Sequence, residues 1–146
     1  MPTISSGTYP CYKNQFKIGA PGAQTLNAIA DMETFSVSFN DGVEEWNPFE
    51  AEGWKSRQKT AKDITISVSG KRKIGDTGND FVAGLAFENG TDSEADFEWT
   101  FPDGTVVKFS NAVINVTALG SSDSTGVAPL EFTVMSNGEP TVTDPA

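Results

Sequence analysis

The chain has 146 residues, 37% of them hydrophobic and 21% charged, enough for one domain with a core of its own. Its net charge of −10 disfavours wrapping nucleic-acid phosphates or adhering to anionic lipid. It holds no histidine and one cysteine, Cys11, which excludes an imidazole base, a Ser-His-Asp triad, a histidine-ligated metal and an internal disulfide.

The first twenty residues lack a basic start followed by an apolar run, and no stretch approaches the ~18 apolar residues of a membrane helix. The expectation is a protein made and kept in the cytoplasm, without a membrane partner and without a cofactor. Residues 1–31 are small and turn-rich, punctuated by Pro2, Gly7, Pro10, Gly19, Pro21 and Gly22. They read as an extended N-terminal arm. Tyr9, Tyr12 and Phe16 on it point to docking, since exposed rings on a free tail are wasteful.

A domain is expected over residues 32–140. METFSVSFN (32–40) alternates Phe35, Val37 and Phe39 against Thr34, Ser36, Ser38 and Asn40, the period of a strand with one buried face. Asp41-Gly42 turns the chain. The next twenty residues have no clear period and read as a long inter-strand loop. Its Trp46, Phe49 and Trp54 argue against disorder. DITISVS (63–69) is a clean strand, with Ile64, Ile66 and Val68 on one face and Asp63, Thr65, Ser67 and Ser69 on the other.

The one helix is expected at about 78–88. Asp76, Thr77 or Asn79 caps its start, Phe81, Val82, Leu85 and Ala86 recur at helical spacing, and Asn89-Gly90 closes it. FEWTFPDGTVVKF (97–109) is a hairpin: apolar residues alternate up to Phe101, then Pro102-Asp103-Gly104 turns the chain. Strand character continues through Val113, Val116 and Leu119, breaks at the polar loop 120–126, and resumes at Leu130, Phe132 and Val134. Residues 141–146 read as a C-terminal arm.

Catalytic chemistry is thinly represented. Gly75–Asp80 combines glycine with carboxylates but lacks the lysine of a phosphate loop and the spacing of a calcium loop, so a helix cap is the better reading and no metal site is expected. Glu44 and Glu45 are adjacent and would point to opposite faces of a strand, a poor pair for glycoside hydrolysis. The basic runs at 55–62 and 71–73 are readable as a nucleic-acid patch, as solvated strand ends or as partners for a neighbour's acids. Well-marked β-structure, one helix, two arms and an aromatic loop suit assembly better than catalysis, and no enzyme is expected.

An ordered series of short motifs resembles the tail tube proteins (major tail proteins) of long-tailed bacteriophages and prophages. It runs Glu44-Glu45-Trp46, Glu52-Gly53-Trp54, KTAKDITISVSGKR (59–72), GDTGNDFVAG (75–84), FPDG (101–104) and LEFTVMSNGEP (130–140). The resemblance covers about residues 30–140; its best parts are the Gly-Asp-x-Gly-Asn-Asp helix start and the terminal Ser-Asn-Gly-x-Pro. It implies a mainly β fold, a β-sandwich or partly open barrel with one flanking α-helix, extended arms and a long inter-strand loop. It implies hexameric rings stacked into a tube, a sheet continuing between subunits, and passage of genomic DNA down the lumen without sticking. Tape measure and tail-completion proteins would be further partners. The location would be the virion tail, assembled in the host bacterial cytoplasm.

On that reading Trp46, Phe49 and Trp54, with Tyr9, Tyr12 and Phe16, would form subunit and ring interfaces, and Ser36, Ser38, Asp63, Thr65 and Ser67 would face the lumen. Folding of the loop aromatics back onto their own core competes with this, at least equally for Trp54. The basic run 55–62 would meet the acidic 88–96 region of a neighbour. Two other functions stay open: an adhesive or carbohydrate-binding β-sandwich, and the tube of a phage-tail-like bacteriocin.

Overall fold

A computed structural model describes residues 4–145; residues 1–3 and 146, the outer ends of the two expected arms, lie outside the described residues. The strands are β1 (Gln15–Gly19), β2 (Asn27–Ala28), β3 (Met32–Phe39), β4 (Gly42–Trp46), β5 (Ser56–Ala61), β6 (Ile64–Lys71), β7 (Glu94–Thr100), β8 (Val106–Leu119), β9 (Pro129–Met135) and β10 (Thr141–Thr143). The helix α1 spans Thr77–Gly84 and is followed by a 3-10 turn, Leu85–Phe87. Eight strands form one antiparallel sheet in the order β2-β1-β7-β8-β9-β6-β3, with β10 beside β8. β4 and β5 pair only with each other.

One sheet becomes two layers because β8 bends. Its first residues pair with β7 and β10, while Val113–Leu119 pair with β9. Between these halves Asn111 takes a left-handed backbone (φ 54), and β7 carries a bulge between Ala95 and Phe97. Bulges sharpen twist and turn a strand from one layer into the next. The buried Asp96 secures the corner, its carboxylate accepting from Asn111 N at 3.0 Å and from Gly22 N at 3.0 Å. The sheet then curls until β1 faces β3: the Phe16 ring lies 4.9 Å from Phe35, and Phe35 lies 5.8 Å from Trp99. β1 and β3 share no ladder, so the barrel stays partly open.

The core follows the sequence pattern. Ile66 and Val68, Phe97 and Phe109, and Leu130, Phe132 and Val134 are buried on the inner faces, joined in the core by Val82 of the helix and Leu85 of the 3-10 turn after it. Asp76 caps α1 by accepting from Asn79 N at 3.0 Å. The hairpin at 97–109 closes with Gly104 N donating to Phe101 O and Phe101 N to Thr105 O.

Three segments differ from expectation. Residues 43–62 are a β-hairpin rather than a loop, pairing Glu44 with Gln58 and Glu45 with Arg57. Both its faces are open to solvent, so no apolar alternation records it. Within the segment read as an N-terminal arm, Gln15–Gly19 is a strand of the sheet, with Ile18 fully buried. Phe16 and Ile18 do alternate with Gln15 and Lys17, but over five residues hemmed by glycine and proline. The C-terminal segment likewise contains β10, laid along β8.

Candidate assembly surfaces

The β4–β5 hairpin projects from the end of the main sheet where β3 stops and β6 begins, and it adds no residue to the core. Two-stranded ribbons are marginal on their own. This one is pinned by charge: Glu45 meets Lys55 at 3.1 Å and Arg57 at 3.0 Å, and Asp41 meets Lys59 at 2.8 Å. Three cations of the 55–62 run, Lys55, Arg57 and Lys59, are therefore paired inside their own hairpin. Between the strands lie a short 3-10 turn, Phe49–Ala51, and Glu52 in a left-handed backbone.

The tip is aromatic and unsupported. Phe49 is fully exposed, Trp54 is 81% exposed and Trp46 44%. None folds back onto the core. Burying an exposed large apolar side chain is worth ~1.5–3 kcal/mol, so these rings are a strong incentive to association.

The N-terminal segment supplies a second surface. Tyr12 is 80% exposed and Tyr9 about half exposed, and Ile4 N is tied to Pro102 O. Phe16 instead packs inward against Phe35 and Phe97. Its edge still lines a cleft of about 500 Å³ where β1 and β3 fail to meet.

The third surface is the outer face of β3, β6, β9 and β8. Register sets Ser36, Ser67, Thr133 and Asn115 in one row across it, and Ser38, Thr65, Met135 and Val113 in the next. A further row begins Thr34, Ser69 and Glu131. Glu131 is the one charged side chain in these rows. Asp63 stands at the margin of this face, its carboxylate 3.2 Å from the Ser136 hydroxyl. A chain of net charge −10 thus keeps one broad face almost free of charge.

The Gly-Asp-x-Gly-Asn-Asp motif is a knot that docks the helix. Asn79 is fully buried: its Nδ2 donates to Ala30 O and Lys71 O, and its Oδ1 accepts from Arg72 Nη1 and Lys73 N. Asp76 also accepts from Ala30 N at 3.1 Å, and Asp80 holds Arg72 at 2.7 Å. Two backbone N–H donors hold the Asp76 carboxyl below the usual aspartate range, Asn79 N being the stronger. Sequence reading took this motif as a cap only; the buried amide is invisible without the fold. A polar cleft of about 790 Å³ separates the root of the hairpin from the C-terminal segment, lined by Asp41, Lys59, Lys62, Asp63 and Glu139 among others.

No family model matches the chain, and no curated protein matches it. Solved structures do. A chain in the tail of an empty gene transfer agent particle, determined with C6 symmetry, is 20% identical with a TM-score of 0.74, covering 93% of this chain and 99% of that one. A chain of the sheath–tube complex of an extracellular contractile injection system is 17% identical with a TM-score of 0.61, covering 94% and 92%. A chain of the tube-terminating cap of an anti-feeding prophage is 15% identical with a TM-score of 0.61, covering 99% and 96%. The curled sheet with one flanking helix is the fold of chains found in these phage-tail-like particles.

Proposed function

We propose that this chain is a structural tail tube protein. It assembles with itself into hexameric rings, and the rings stack into a tube that delivers genomic DNA. The observation that carries this reading is the exposed aromatic tip of a charge-pinned hairpin, on a domain whose fold recurs along nearly its whole length in tail-like particles. Such a tip has no task in an isolated subunit.

Trp46, Phe49 and Trp54 anchor contacts between subunits or rings, with Tyr9 and Tyr12 in support, because buried aromatics dominate interface energies. The hydroxyl rows through Ser36, Ser38, Thr65 and Ser67, with Asp63 at their margin, face the lumen. Duplex DNA binds proteins mainly through lysine and arginine that displace its counterions. These rows of hydroxyls, with Asn115, Met135, Val113 and Glu131 among them, hold neither lysine nor arginine, so DNA slides past. Tape measure and tail-completion proteins cap and measure the tube, which is built in the host cytoplasm and ends in the virion tail. No catalytic step enters the reading.

The exposed Trp54 and Phe49 give a carbohydrate-binding reading one point in favour. They sit on a narrow ribbon rather than across a flat sheet face, which suits insertion into a groove better than stacking on sugars. Negative-stain electron microscopy of purified protein over a concentration series tests the proposal: rings and hollow tubes are expected. Particles that stay single at every concentration and bind glycans would overturn it.

A further inference from the structure

We infer that the cleft between β1 and β3 is the seat for the hairpin tip of a second copy of this chain, joined head to tail; this rests on the tube reading and names the receiving half of its contact. Its walls are Cys11, Tyr12, Phe16, Ile29, Met32 and Phe35, mostly apolar, in a volume of about 500 Å³. Pockets of this size hold anchoring groups. The one acid in its wall, Glu33, is already neutralised by Lys71 at 2.9 Å. An aromatic ring can enter without stranding a charge.

Charge complements the apolar match. The tip carries Glu50 and Glu52, neither in an ion pair among the described residues. Beside the cleft stands Lys13, between the lining residues Tyr12 and Asn14, also without a carboxylate partner among the described residues. The larger polar cleft is the poorer seat, since five of its eleven lining residues are charged.

Position fixes the direction of assembly. The hairpin leaves β3 at its Phe39 end, whereas the cleft meets β3 at Met32–Phe35, the other end of the strand. Donor and seat are different surfaces, so the contact is heterologous and can pass from copy to copy, as a stacked polymer needs. Five residues of β4 at about 3.4 Å each carry the tip about 17 Å out from the sheet, enough to cross to a neighbour.

Cys11, the only cysteine, reports on the seat directly. The natural chain is co-assembled with a chain carrying Ala51→Cys and Cys11→Ser, which keeps every aromatic and acid of the tip. Mild oxidation joins only cysteines whose Cα atoms lie within about 7 Å. The expected main product is a mixed covalent dimer, with mass spectrometry identifying the peptide pair that joins position 11 to position 51. If tubes form and the mixed dimer is absent, the tip seats elsewhere while the tube reading stands. If neither tubes nor the mixed dimer form, both fall together.

Discussion

Asn79 uses both amide hydrogens and both oxygen lone pairs, in a position shut from solvent. Asn79→Ala would strand two carbonyls and a backbone N–H and leave the Arg72–Asp80 pair unsupported. Unsatisfied buried groups cost about 1–3 kcal/mol each, so the loss is expected to reach ~3 kcal/mol or more, read as a lower midpoint in denaturant. Asp76 beside it gives a pH signature. Its folded pKa lies below its unfolded value, so its contribution is complete above about pH 4 and is lost as pH falls through the folded value. Asp76→Ser keeps a capping oxygen that does not titrate. The natural chain's thermal advantage over that variant should narrow below about pH 4; an unchanged gap would show that the carboxylate's charge is irrelevant.

Helix α1 carries two glycines with opposite roles. A Cβ on Gly78 would run into the backbone carbonyl of Ala28, because the helix start lies directly on β2. A Cβ on Gly84 would meet nothing, and its backbone is helical at φ −67. Gly84→Ala should therefore stabilise the fold by about 0.5–1 kcal/mol through the unfolded state. Gly78→Ala should destabilise it by more than that gain despite the same rise in helix propensity. Calorimetry of both variants separates propensity from packing. The elements legible in the sequence are those with one buried face: β3, β6, the β7–β8 hairpin and β9 all show a period of two. In β3, Phe39 follows the alternation yet is 64% exposed, because the strand outruns the core at that end. The β4–β5 hairpin was missed because pairing without burial leaves no apolar trace. Its signal was electrostatic: acids at 41–45 opposite cations at 55–59, in antiparallel register. At the site, the aromatics of the tip could be named from sequence, but the cleft could not. It is made by β1 and β3 approaching across the curled sheet: its lining residues all lie within 11–35, but what brings them face to face is the order of the four strands between β1 and β3, which no local pattern records.

Over the whole molecule, charge and apolar surface are distributed unevenly. In a chain of net charge −10 the hydroxyl rows carry one acid, Glu131, and the exposed Trp46 and Trp54 with the fully exposed Phe49 gather on a ribbon outside the core. Such a subunit is complete as a fold and incomplete as a surface. The most direct test compares the natural chain with a Phe49→Ala, Trp54→Ala variant by negative-stain electron microscopy, with thermal unfolding measured alongside. Neither ring supports the core, so the variant should unfold within ~0.5 kcal/mol of the natural chain. The prediction is stacked hollow tubes from the natural chain and, from the variant, folded subunits or rings that do not stack. Tubes of normal length from the variant, or no rings or tubes from the natural chain at any concentration, would contradict it.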